Sequence, residues 1–131
     1  RAFWNDRAVK LHIANTAGLN LFTAYGDDYA AVNHEKHEKN LILLPESIIP
    51  AWTGATVNTL TEADINILLG LDTEIILLGT GKSLRFPPGA LLRPFAPAGI
   101  GLEIMDLKAA CRTYNILAAE GRKVAAALLF D

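Results

Sequence analysis

Apolar and polar residues alternate along the first third of the chain, and a helical period takes over after Thr61. Residues 9–13 alternate, residues 15–18 supply turn formers, and a second run over 19–25 places Leu19, Leu21 and Tyr25 on one face. These two runs predict a hairpin. Gly26-Asp27-Asp28 predicts the next turn, 29–32 a short strand, Asn33-His34 a third turn, and the segment ending in Leu41-Ile42-Leu43-Leu44 a longer strand. The first third therefore reads as a β-meander. Pro45 and Pro50 close it, because proline has no N–H to give to a ladder, and Trp52 is expected to cap the open end of the core.

Beyond Thr61 the spacing changes from two to between three and four. Thr61 and Asp64 form a capping-box pattern ahead of Ile65, Leu68 and Leu69, which predicts a short helix ending at Gly70. Residues 74–78 form an apolar run that suits a strand buried on both faces, and Gly79-Thr80-Gly81 follows. Pro87-Pro88 predicts a helix start, with a helix reaching about Ala98 that Pro94 and Pro97 should shorten or distort. Residues 102–105 predict a strand, Asp106 a cap, 107–119 a helix, Gly121 its end and 124–130 a last strand. Strands alternating with helices imply right-handed crossovers between parallel neighbours. The expected fold is α/β: a three-layer sandwich around a mixed, partly parallel sheet, with the meander at its N-terminal side. The reading is of an arm at 1–8 and one domain over 9–131.

Length and composition agree with this picture. A chain of 131 residues has the size of one domain, long enough to bury its own core without staples. No apolar stretch approaches the roughly 18 residues that a membrane span requires. A formal charge of −2 with no basic stripe supplies no attraction to phosphate backbones, so nucleic acid is not an expected partner. The single cysteine, Cys111, has no intramolecular partner, which points to the cytoplasm. The chain opens at Arg1 with no charged-then-apolar leader pattern.

Candidate chemistry is sparse. Gly79-Thr80-Gly81-Lys82-Ser83 looks like the tail of a phosphate-binding loop, but the glycine required five residues before Gly81 is replaced by Ile76, and residues 84–88 read as extended rather than helical. The dinucleotide fingerprint fails as well, its third glycine falling at Leu84. What survives is position: ligands gather beyond the carboxyl ends of parallel strands, where Gly79, Thr80, Gly81, Lys82, Arg85 and Asp106 all fall. The competing reading is a tight turn with Asp106 as a helix cap. His34 and His37 beside Glu35 and Glu38 have the side chains of a metal site, but their odd spacing in an extended segment sends the two rings to opposite faces, so no metal is expected. Cys111 lies on the stripe Leu107, Ala110, Cys111, Tyr114, Leu117 and Ala118, the packing face of its helix, which makes it a core thiol. Arg112 and Asn115 lie off that stripe, free to bond a ligand, a partner or a neighbouring loop. No catalytic constellation and no cofactor signature is legible.

Leu43-Leu44-Pro45 leading to Trp52, the run from Glu74 to Gly81, and Ala110-Cys111-Arg112-Thr113-Tyr114-Asn115 leading to Glu120-Gly121-Arg122 occur in this order. Together they resemble domain-of-unknown-function family 498, from about residue 9 to residue 129. The resemblance implies a three-layer α/β fold. For the family's mitochondrial branch it also implies a role in assembling respiratory complex I together with another assembly factor. The chain is similar to the bacterial form. The expectation is a non-enzymatic binding or assembly module whose partners are complex I subunits or an assembly factor. The alternative is an anion or small-molecule site around Gly79–Gly81 and Asp106. The mitochondrial branch lacks Lys and Ser at the positions of Lys82 and Ser83, so a basic phosphate site is not implied for the family as a whole.

Overall fold

Two sheets of different character share one core, and each follows from how far its strands are buried. The computed structural model describes residues 18–130; the arm at 1–8, the strand read at 9–13 and most of the turn at 15–18 lie outside them. A small antiparallel sheet runs in the order β1 (Phe22–Tyr25), β2 (Ala30–Val32), β3 (Glu35–His37). A five-stranded mixed sheet is built from β4 (Leu41–Leu44), β5 (Ser47–Pro50), β6 (Ile75–Gly79), β7 (Gly101–Met105) and β8 (Val124–Leu128), in the order β5-β4-β8-β6-β7. Strand β6 runs parallel to both β7 and β8, whereas β4 is antiparallel to β5 and β8. The helices are α1 (Glu62–Leu69), the single turn α2 (Gly89–Leu92) and α3 (Leu107–Ala119).

The period of two sorts the central strands between two cores. Leu41, Leu43, Leu77, Val124, Ala126 and Leu128 face α3 and the small sheet. Ile42, Ile76, Leu78, Ala125, Ala127 and Leu129 face α1, Trp52, Val57 and Phe95. This makes a three-layer α/β sandwich around a mixed sheet. Strand β8 is central and wholly buried, and its three consecutive alanines let the layers on both sides come close.

Local signals explain the helix ends. Thr61 Oγ1 accepts from the Asp64 N–H while Asp64 Oδ2 accepts from the Thr61 N–H, closing the capping box at α1. At the C-terminus of α3, Gly121 has φ 82°, and the Arg122 N–H turns back to Leu117 O at 3.0 Å. The helix read from Pro88 to about Ala98 is one α turn followed by a 3-10 turn over Arg93–Phe95, as Pro94 and Pro97 dictate.

The meander departs from its reading in three places. Phe22, rather than the face of Leu19, Leu21 and Tyr25, supplies the buried anchor of β1, at 3% exposure. The register shifts between Phe22 and Ala24, and this bulge breaks the alternation so that Phe22 and Tyr25 both reach the core. The long strand ending at Leu44 is two strands in different sheets, β3 and β4. Asn40 holds the crossing: its Nδ2 donates to Thr53 O and Ala55 O, both at 3.0 Å, and its Oδ1 accepts from the Phe130 N–H at 2.8 Å. Pro45 does not end the sheet. With Glu46 it forms the two-residue turn between β4 and β5. Strand β5 tolerates Pro50 because it lies at the sheet's edge.

Candidate functional site

At the carboxyl ends of β6 and β7 the chain makes two turns that are stitched to each other. The Thr80 N–H donates to Met105 O at 2.9 Å, the Leu107 N–H to Gly81 O at 2.8 Å, and the Leu129 N–H to Gly79 O at 2.9 Å. Thr80 is fully buried, and its hydroxyl organises the loop. Oγ1 lies 2.7 Å from Ser83 O and 3.3 Å from Met105 O, and it accepts from the Arg85 N–H at 3.0 Å. Arg85 also folds back, its Nη2 donating to Thr80 O at 3.3 Å. Asp106 adopts an extended backbone and its Oδ1 accepts from the Ala109 N–H at 2.9 Å, capping α3. The carboxylate thus sits where the α3 N-terminus would otherwise favour an outside anion.

The structure brings Gly79, Thr80, Gly81, Lys82, Arg85 and Asp106 together at this end. Lys82 and Ser83 are exposed and Arg85 is half-buried. Arg112 and Asn115 lie farther along α3, roughly 9 and 13 Å from Asp106 at 1.5 Å per residue. Arg112 is exposed. Asn115 faces the small sheet, where its Oδ1 accepts from the Phe22 N–H at 2.9 Å and its Nδ2 donates to Phe22 O at 2.8 Å. This is the neighbouring-loop role among those its position allowed.

The two glycines serve different ends. Gly81 holds φ 84°, a conformation in which a β-branched residue is strained by about 1–3 kcal/mol. Gly81→Val is therefore expected to lower stability by about that amount in urea melts, while Lys82→Ala, which removes only an exposed side chain, should leave the midpoint unchanged. Equal midpoints for wild type and Gly81→Val would refute this account of the turn.

A cavity of about 790 Å³ opens at the other end of the parallel strands. It is lined by the Pro45-Glu46 turn, the end of α3 at Glu120 and Gly121, and the start of β8 at Lys123 and Val124. Sequence reading missed it, because its walls come from four segments that carry no common motif. Two of its charges pair with each other at the exposed rim, Lys123 Nζ lying 3.5 Å from Asp72 Oδ1.

Among the described residues no group of three or more His, Cys, Asp and Glu side chains is placed to hold a metal. Asn33 and His34, with φ 50° and 74°, form the tight turn between β2 and β3. Cys111 has no exposed surface, and burial pushes its thiol from the ordinary 9.0 up to about 12. Slow reaction with thiol reagents in the native state is the expected result, and rapid labelling would overturn it. Because the folded value is raised, the contribution of this group is complete below about pH 9 and is lost as pH rises from there towards 12. Cys111→Ala should flatten that part of the alkaline decline in stability. Tyr114 is raised as well, also by burial, and its hydroxyl donates to Asn20 O at 2.9 Å.

Residues 22–129 match the model of the family described as "Protein of unknown function (DUF498/DUF598)". The crystal structure of a Bordetella parapertussis protein superposes with a TM-score of 0.80 at 39% identity, covering 87% of this chain and 98% of that one. The Bos taurus protein named NADH dehydrogenase (ubiquinone) 1 alpha subcomplex assembly factor 3 is 32% identical over 111 residues, which is 80% of this chain and 60% of the bovine one. The Francisella tularensis subsp. holarctica (strain LVS) protein named 13 kDa major membrane protein is 32% identical over 73 residues, 56% of this chain and 59% of that one. The chain thus spans about three-fifths of the length of these two curated relatives. No helix among the described residues is long and apolar enough to cross a membrane.

Proposed function

Because the chain belongs to the DUF498/DUF598 family of proteins of unknown function, we propose that it is a non-catalytic binding module in the assembly of a respiratory NADH dehydrogenase, the role its bovine relative carries in its name. The observation behind this reading is the similarity to that assembly factor over 80% of the chain. Among the described residues, the two side chains with clearly shifted ionisation, Cys111 and Tyr114, support it from the chemical side. Both move away from neutral pH through burial, the opposite of the tuning that acid–base or nucleophilic catalysis calls for. The partners in this reading are complex I subunits or a second assembly factor. The compartment is the cytoplasm, where a lone unpaired thiol is ordinary.

Affinity purification of the full chain from its native cells, followed by mass spectrometry, tests the proposal. Enrichment of NADH dehydrogenase subunits over an unrelated bait is expected, together with less assembled enzyme when the gene is deleted. Normal assembly in the deletion, with no subunit enriched, would reject it.

A further inference from the structure

The crossover from β6 to β7 holds two large apolar side chains in water. Phe86 is 66% and Leu84 50% exposed, and the loop that carries them is pinned rather than loose. Thr80 fixes one end through its bonds to Ser83 and Arg85, and buried Pro87 fixes the other. Arg85 lies between the two and turns inward onto Thr80. In an extended segment its neighbours on both sides therefore point outward. A rigid loop that presents an aromatic and an aliphatic anchor loses little entropy on binding.

Charge narrows what the loop suits. Between Glu74 and Glu103 the charged residues are Lys82, Arg85 and Arg93, all basic. The rest of the chain holds nine basic against 14 acidic side chains, a balance of −5. The crossover is thus a basic, apolar run in an acidic chain, with Asp106 at its edge where the Leu107 N–H meets Gly81 O.

We propose that Leu84 and Phe86, with exposed Lys82 just before them and exposed Arg93 farther along the same crossover, form the docking surface for a different protein that offers an apolar cleft rimmed by Asp and Glu side chains. This rests on the reading of the chain as an assembly module and supplies the surface which that reading leaves unspecified. A second copy of the chain fits poorly, because a two-fold contact through this loop sets its cations against themselves. An anionic membrane fits poorly too. The two outward cations, Lys82 and Arg93, contribute about 1 kcal/mol each near such a surface, while the body behind them is repelled.

Site-specific photo-crosslinking in cells that express the full chain tests the proposal. A photoreactive phenylalanine analogue placed at Phe86 is expected to capture peptides of another protein in which acidic residues flank apolar ones. Phe86→Ser and, separately, Lys82→Glu combined with Arg93→Glu should each lower capture from a probe at Leu84 by about tenfold or more, with melting unchanged. Capture no stronger than from a probe at exposed Glu62, capture of this chain itself, or wild-type co-sedimentation with phosphatidylcholine–phosphatidylglycerol vesicles would each overturn it. The two proposals fail separately. Crosslinks to an acidic, apolar cleft on a protein that is neither a subunit of the respiratory enzyme nor needed for its assembly would keep the surface and reject the assembly role. NADH dehydrogenase subunits that co-purify undiminished with Phe86→Ser would keep the role and reject the surface.

Discussion

Gly79→Val is expected to lower stability by about 3 kcal/mol, a loss of roughly 10 °C in melting temperature for a domain of this size. The cause is close approach, since Gly79 is absent from the glycines with positive φ. A Cβ added there would stand 2.8 Å from Leu128 Cδ2, 3.0 Å from Ala110 Cβ and 3.3 Å from the Leu107 Cα. The leucine tip can swing aside, but Ala110 and the Leu107 backbone belong to the first turns of α3, so the helix itself must move off the sheet. Gly79→Ala should cost less, because it lacks the two γ carbons that valine pushes further into the helix. Thermal melts of both variants beside Lys82→Ala make the measurement, and an unchanged midpoint for Gly79→Val would show that α3 does not rest on β6 as described.

Asn115→Ala should cost about 2–3 kcal/mol, because it leaves the N–H and the C=O of Phe22 without their partners in a half-buried place. The asparagine acts as one rung of a ladder, joining α3 to a strand 93 residues away in sequence. The same junction includes the Phe22 ring, edge-on to Tyr114 at 5.3 Å, so weakening it loosens the small sheet as a unit. Asn115→Asp separates geometry from bulk. Its carboxylate still accepts from the Phe22 N–H but faces Phe22 O with no proton to give, so at pH 7 the loss should be at least that of alanine. The new acid's folded pKa is raised above its unfolded value of about 3.9, so stability should return in part as pH falls through that window. Urea melts followed by tryptophan fluorescence at pH 4 and pH 7 read both effects. Wild-type stability in Asn115→Ala would return the residue to the pool of ligand-facing side chains.

These two residues mark where sequence reasoning stops. Asn115 is visible as a polar residue off the apolar stripe of α3, but nothing in the sequence says whether such an amide meets solvent, ligand or backbone. Gly79 is visible as one end of a glycine turn, which suggested unusual φ angles. Only Gly81 has one, and the reason for Gly79 lies in a helix that begins 28 residues later. The large cavity was invisible for a similar reason, since Leu19, Pro45, Asp72 and Lys123 are neighbours only after folding.

What the sequence determined by itself is whatever short-range chemistry decides. The Thr61–Asp64 capping box, the Asp106 cap, the Gly121 stop and the doubly buried runs in β6 and β8 each draw on residues within about one turn or one strand, so their spacing carries the whole message. The α/β class follows from their alternation. Tertiary structure alone decided the break between β3 and β4, which depends on Asn40 reaching Thr53, Ala55 and Phe130, and the bulge that turns Phe22 inward to meet Tyr114. It also decided that Leu84 and Phe86 stay in water. Local apolarity predicts burial, but the bonds from Thr80 to Ser83 and Arg85 hold the loop with those side chains turned out, and such bonds exist only once β6 and β7 have placed Thr80 inside.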